Sequence, residues 1–377
     1  MNINRRTFSI STGAALLSSA SLVRAQSEGK IILGQSAAFT GPAAQLGIQF
    51  YKGAKLHFDQ VNAKGGVGNR MIEIRNLDDG YEPDRCAENT RKLLAEDVFA
   101  LFGYIGTPTS VAALPLAIKE KTPFFAPFTG AMALRDPFSR YAYHVRASYN
   151  DETALIVRQM STLGLKNFAV FYQNDAYGKA GLDGVKLALS AIGLKPVAQA
   201  SFERNTVEVR EAVKTLVAAT PQSIVQVGAY KACAAFIREA RKAGFGGTFY
   251  NVSFVGTQAL SDELGKEAAG VVVCQVMPSP YTAAKPITRE FLEAIKAGGS
   301  TVQANFSSME GYVAARIFVE GLKRTGSKIT RDSLITGLDS IGNQSMGGFQ
   351  ISLGPTDHVA SSFVEMSLLT GDGRVRT

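Results

Sequence analysis

The residues best suited to binding chemistry lie in two loops between positions 98 and 131. The first loop follows an apolar stretch at 98–103 and reads Tyr104-Ile-Gly-Thr-Pro-Thr-Ser110. The second follows 123–127 and reads Phe128-Thr-Gly-Ala131. Both are rich in hydroxyls and free backbone N–H groups. Thr107 stands where a helix N-cap would, with Pro108 at the first helical position. The N–H groups of Thr109 and Ser110 would then be helix-start donors, aimed where the macrodipole favours an anion. Thr129 and Gly130 would add a hydroxyl and another N–H. This is the chemistry of an anion receptor; the plain alternative is that Thr107 only caps its helix.

Such loops need a scaffold that sets them side by side. Apolar residues at 98–103, a helix at 110–121 and apolar residues at 123–127 make a βαβ unit with a parallel sheet. Parallel sheets of this kind bind ligands beyond the carboxyl ends of their strands, where both loops lie. The rhythm extends backwards through a strand at 31–34, a helix at 48–63 ended by Gly65-Gly66, and a strand at 71–77 before a helix opened by Pro83. Gly34, Gly41 and Gly47 do not match a nucleotide-loop spacing, so no nucleotide cradle is expected. Asp78-Asp79 at a strand end could hold a cation, though caps and turns are the commoner use.

After a strand at 141–145 and a crossing segment at 146–150 the pattern restarts. Helices are expected at 151–163, 178–192, 207–219 and 230–243, and strands at 167–171, 196–202, 223–227, 248–252 and 270–275. Two such series predict an α/β protein of two doubly wound lobes. Strand ends of the second series carry Tyr172, Tyr177, Tyr230 and Ser253. With Tyr149, these tyrosines could form a ligand wall with an apolar face and a polar tip, although each alone could be ordinary packing. Helices at 286–297 and 306–324 would return to the first lobe, and 362–369 form a last strand.

At 377 residues the chain suits two domains. Residues 1–25 read as a signal peptide: Asn4-Arg-Arg-Thr-Phe8 is a twin-arginine pattern, followed by a weakly apolar stretch ending Val23-Arg-Ala25. That leader holds three arginines and no acids, so its removal before Gln26 would lower the formal net charge from +8 to +5. Without a Lys/Arg block, this charge does not argue for nucleic acid. No later run is apolar enough to span a membrane. Cys86, Cys233 and Cys274 fit neither a metal site nor a disulfide framework; they read as buried small residues, with one disulfide open. No cofactor is expected. His57, His144 and His358 lie on no strand-end loop with a nucleophile, so a catalytic set is lacking.

Four stretches together carry a family resemblance: Phe39-Thr-Gly-Pro-Ala-Ala-Gln-Leu-Gly47, Val61-Asn-Ala-Lys-Gly-Gly66, Asp78-Asp79 and Asp175-Ala-Tyr-Gly178. From about residue 30 to 374 the chain resembles a type I periplasmic solute-binding protein, in the leucine/isoleucine/valine-binding branch that feeds ABC importers. The resemblance implies two lobes joined by a three-strand hinge, 26–147 with 279–355 and 148–278 with 356–377, closing on a ligand. It implies a periplasmic monomer that meets a permease at the inner membrane, or a sensor that meets a membrane receptor. Thr107 matches the serine that binds the ligand carboxylate, and Thr129 and Gly130 match the neighbouring contact loop. Leu46 matches a pocket-wall position, and Tyr177 and Tyr230 match the second lobe's tyrosines.

One departure stands out. Amino-acid binders of this branch hold the α-ammonium with an acid where this chain has Ser253. Tyr81 and Gly106 occupy the positions of the branch's disulfide. The expected ligand is therefore a small organic acid without an α-ammonium, aromatic in view of Tyr149, Tyr177 and Tyr230. The alternative is a branched-chain or other amino acid, if Asp175 or Glu152 restores the missing charge; Asp175 is expected instead to cap the helix that follows it.

Overall fold

The computed structural model describes residues 29–298 and 301–377; the leader expected at 1–25 lies outside the described residues. The chain opens with β1 (Ile31–Ala37), apolar at its start and buried along almost its whole length, as a central parallel strand must be. There follow α1 (Ala44–Asn62), β2 (Ile72–Asp78), α2 (Pro83–Ala95), β3 (Ala100–Phe102), α3 (Thr107–Lys119), β4 (Phe124–Phe125) and β5 (Ala142–Tyr143). The second series is α4 (Tyr149–Thr162), β6 (Phe168–Gln173), α5 (Ala176–Ser190), β7 (Ala198–Phe202), α6 (Arg210–Ala218), β8 (Ser223–Val227), α7 (Tyr230–Lys242), β9 (Thr248–Asn251), α8 (Thr257–Leu264) and β10 (Val272–Gln275). The chain ends with α9 (Pro286–Ala297), α10 (Phe306–Lys323), α11 (Arg331–Asp339), the hairpin β11 (Gly342–Met346) and β12 (Phe349–Leu353), then β13 (Glu365–Leu369) and β14 (Val375–Arg376).

Two α/β lobes result. One sheet has the order β2-β1-β3-β4-β5, with every pairing parallel. The other runs β14-β13-β10-β9-β8-β6-β7; β7 to β10 are parallel, and β13 and β14 are antiparallel. In each sheet the strand order reverses once, between β1 and β3 and between β6 and β8. Those are the topological switch points where such sheets leave a crevice. The loops after β3, β6 and β8 therefore occupy the binding edge.

α10 returns to the first lobe and packs along α1. Glycine makes this possible: a Cβ on Gly53 would lie 1.8 Å from the Ser308 carbonyl oxygen, and one on Gly311 would lie 2.0 Å from that of Phe50. Phe58, Phe102, Phe125 and Phe318 fill the space below with edge-on and stacked rings. The chain crosses between lobes after β5, after β10 and between β12 and β13. At the first and last crossings His144 pairs with Val359; the His144 N–H donates to the His358 carbonyl (2.8 Å) and the Ala360 N–H to that of His144 (2.7 Å).

Cys86, Cys233 and Cys274 are all free and buried, which settles the disulfide question left open by the sequence. Among the described residues no cluster of His, Cys, Asp and Glu could hold a metal, and no helix is long and apolar enough to cross a membrane. α8, α11 and the β11–β12 hairpin were not anticipated from the sequence.

Candidate functional site

The first lobe's wall is built from uncharged donors. β3 runs into Gly106, which adopts φ 94° and ψ 161° as the N-cap of α3. A Cβ there would lie 2.2 Å from the Tyr81 ring, so only glycine lets the loop pass. Thr107 is thus the first helical residue and not the cap. Its hydroxyl is released from capping and meets the Thr129 hydroxyl at 2.6 Å. The Ser110 N–H, expected to be free, donates to the Gly106 carbonyl at 3.1 Å, whereas that of Thr109 has no partner among the described residues.

β4 leads to the second loop, where Thr129 Oγ1 also accepts from the Ala131 N–H (3.2 Å) and the Gly130 carbonyl accepts from the Tyr149 N–H (2.8 Å). A Cβ on Gly130 would come within 2.8 Å of the Tyr149 ring, so this glycine lets the ring lie against the loop. The Tyr149 hydroxyl is buried close to the Thr129 hydroxyl and the Gly130 N–H, without a hydrogen bond of good geometry to either. Burial, with Arg146, Thr129 and Gly130 pulling the other way, leaves it pushed up to about 12.

Beneath this wall lies a charged centre that the sequence reading missed. Arg146, in the crossing after β5, is fully buried and grips Glu310 of α10 with Nε–Oε1 2.8 Å and Nη2–Oε2 2.7 Å. Its Nη1 is buried without a partner, and its guanidinium sits 4.0 Å over the Phe128 ring. Burial works against this charge, but Glu310 outweighs it and the guanidinium stays protonated. Arg135 donates to the carbonyls of Thr129, Arg146 and Ala147; burial, with Arg146 nearby, brings it down to about 10.

The second lobe contributes aromatic rings and one carboxyl. Asp175 caps α5, accepting from the N–H groups of Tyr177 (2.9 Å) and Gly178 (3.2 Å). Tyr177 is buried with its ring 5.4 Å from Tyr149 and 4.5 Å from Phe254. Phe254 in turn touches Phe128 and Tyr81 of the first lobe, at 5.8 Å each. Beside it, Ser253 holds Glu152 of α4 through its N–H (2.6 Å) and its hydroxyl (2.9 Å). Burial pushes the Glu152 carboxyl up to about 7, although Arg146 and the two Ser253 bonds favour its charge. An acid therefore does reach the Ser253 position, from a helix start and not from the strand end.

Thr107, Thr129, Gly130, Tyr149, Tyr177 and Ser253 gather around Phe128 and Phe254. Leu46 and Tyr230 lie apart, at the rim: Leu46 abuts Gly256, where a Cβ would sit 2.5 Å away, and the Tyr230 hydroxyl meets the Gln45 backbone. A void of about 20 Å³ remains there, room for one water at most. Across the opposite rim Arg204 reaches Glu82 (2.8 Å) and Asp175 (3.3 Å), and Asn205 reaches the Gly80 carbonyl (3.0 Å) and Glu82 (2.7 Å). The two lobes are thus shut on each other.

Comparison with known proteins places this geometry among relatives. A profile of the family described as periplasmic binding protein matches residues 30–368. A Leu/Ile/Val-binding protein homolog 7 of Brucella suis is 25% identical over 331 residues, 82% of this chain and 80% of that protein. A crystal structure of a possible leucine/isoleucine/valine-binding protein from Rhodopirellula baltica is 35% identical and covers 93% of this chain and 96% of its own, with a TM-score of 0.89. A substrate-binding periplasmic protein from Ralstonia solanacearum is 29% identical over 92% of this chain and 99% of its own, with a TM-score of 0.86.

Proposed function

Because the chain belongs to the periplasmic binding protein family, we propose that it captures a small carboxylate-bearing ligand between its lobes and delivers it to an ABC importer. Proteins of this family bind substrates and do not transform them. The reading places the protein in the periplasm as a monomer, with residues 1–25 removed on export, and it takes 26–147 with 279–355 and 148–278 with 356–377 as the two moving bodies.

One observation carries the carboxylate: unspent donors converge on the first lobe's wall. The Tyr149 hydroxyl, beside Thr129 of the Thr107–Thr129 hydroxyl pair, is buried without a well-formed hydrogen bond, and Arg146 Nη1 is buried beneath it without a partner. Buried donors left unmatched are costly, and a carboxylate that sheds its water needs several of them. The helix-start N–H of Thr109 and that of Gly130 add to the set. Thr107, Thr129, Gly130 and Tyr149 would hold the carboxylate, with Leu46, Tyr177, Tyr230 and Ser253 lining the remainder.

At the ligand's other end, the uncharged Ser253 supports an organic acid, and the surrounding tyrosines support an aromatic one. A second reading, an amino acid, is favoured by Glu152 seated on Ser253. Both share the carboxylate. Thermal shift against aliphatic acids, benzoates, leucine and phenylalanine tests that common feature, since a ligand that binds only the folded state raises its melting temperature. Carboxylates should raise it and their amides should not; equal shifts from acid and amide would defeat the reading.

A further inference from the structure

We infer that Glu152 reads the charge of the ligand's far end, ionised opposite an amino group and protonated opposite a ligand that lacks one. The inference rests on the carboxylate reading above and concerns how the same cleft handles the rest of the ligand.

Glu152 lies one helical turn beyond Tyr149 and is fully buried. Each of its oxygens accepts one hydrogen bond, both from Ser253, and both donors are neutral. A carboxylate has about four acceptor positions, so two remain open. No cation among the described residues touches it. Arg146 is committed to Glu310 through two nitrogens, and Arg135 to backbone carbonyls. The other elements packed nearby bring Tyr149 and Tyr177, the Cys274 thiol, and Glu310, which repels it. A buried carboxyl with neutral partners either keeps its proton or receives a cation.

The charges of the cleft floor fit both states. With Glu152 ionised, the two arginines and two carboxylates balance, and a zwitterion adds no net charge. With Glu152 protonated, one positive charge is left over for a monoanion to neutralise. A single residue thereby serves either ligand by gaining or losing one proton. Burial sets that exchange near neutrality, at about 7.

Calorimetry on the full chain tests this with two matched pairs, leucine with 4-methylpentanoate and phenylalanine with 3-phenylpropanoate, at pH 6 and pH 8. The ligands' own groups do not titrate in that range. Amino-acid affinity should rise about tenfold between the two pH values and deaminated-acid affinity should fall about tenfold, the change expected for one linked proton. Glu152→Gln should flatten whichever slope is measured. Ser253→Ala keeps the carboxyl and should keep the slope while moving its midpoint upwards, which guards against a Glu152→Gln chain that does not fold. Slopes absent from the wild type, or unchanged by Glu152→Gln, would overturn the inference alone. Failure of all four ligands and of benzoate to bind would overturn the carboxylate reading and this inference with it.

Discussion

Apart from Glu310, which Arg146 neutralises, each lobe buries one carboxyl with no cationic partner, and the two are held alike. In the first lobe Asp79 accepts from the Ser36 hydroxyl (2.7 Å) and the Tyr81 N–H (2.8 Å); in the second, Glu152 accepts from the hydroxyl and N–H of Ser253. Burial raises both, Asp79 to about 6 and Glu152 to about 7. Their settings differ. Asp79 sits behind the β1 edge near Cys86, where it ties down a turn whose Tyr81 has φ 65°. Glu152 faces the lobe junction, with Arg146, Tyr149 and Tyr177 around it. The lesson is that a serine-held buried acid is not by itself a ligand site; what it faces decides whether it fixes a turn or meets a solute.

The largest expected effect comes from unbalancing the charges beside Glu152. Glu310→Gln leaves the Arg146 cation buried with its bidentate partner gone, and should destabilise the fold by about 3–5 kcal/mol in urea unfolding. If the comparison holds, it should also lower the Glu152 pKa and leave Asp79 untouched. A loss below about 1 kcal/mol would mean that water reaches Arg146.

Next in size is the pH dependence. Both acids hold their protons more tightly folded than unfolded, so their contribution is fully present below the unfolded values and is lost as pH rises through the folded ones. Stability should therefore fall between about pH 4 and 7, by up to about 3 kcal/mol per acid for a shift of two units. Asp79→Asn should flatten the lower part of this slope and Glu152→Gln the upper part, as followed by melting temperature. A slope that Asp79→Asn leaves intact would break the parallel.

Ligand affinity separates the two sites. Thr107→Val should weaken a bound carboxylate by about 2 kcal/mol, roughly thirtyfold, while Asp79→Asn should change affinity by less than about twofold. Calorimetry with the tightest acid from the thermal-shift panel would show this; equal losses would place Asp79 in the ligand-binding network.

The smallest effect concerns the rim. Arg204 is partly exposed, so Arg204→Ala should cost at most about 1 kcal/mol of lobe closure and show most clearly at low salt. Small-angle scattering of the ligand-free chain should give a larger radius of gyration for the variant. No change would leave closure to the aromatic contacts of Phe254.

Much of the scaffold was legible because it is periodic. Apolar strands alternating with amphipathic helices announce both lobes, and the two hydroxyl loops follow from strand ends. The N-cap of α3 is Gly106 and not Thr107, and the helix begins at Thr107 and not at 110, because Gly106 takes a backbone conformation that frees Thr107 from capping. The β11–β12 hairpin carries its turn signal in Gly347-Gly348, but its first strand, Gly342-Asn-Gln-Ser-Met346, is too polar to read as one. The charged centre left no local trace: Arg146 and Glu310 stand 164 residues apart, and neither position looks unusual in its own segment. Glu152 was noticed as a possible source of charge, yet only the fold brings it to Ser253.

The three native thiols have a practical meaning for watching the lobes move. Cys86, Cys233 and Cys274 are buried, and burial pushes each thiol up, so the reactive thiolate is scarce in the folded chain. A cysteine introduced at exposed Lys231, beside Tyr230 at the rim, would therefore take a fluorophore almost alone. Such a labelled chain becomes an optical gauge of opening and closing without first stripping out its natural cysteines.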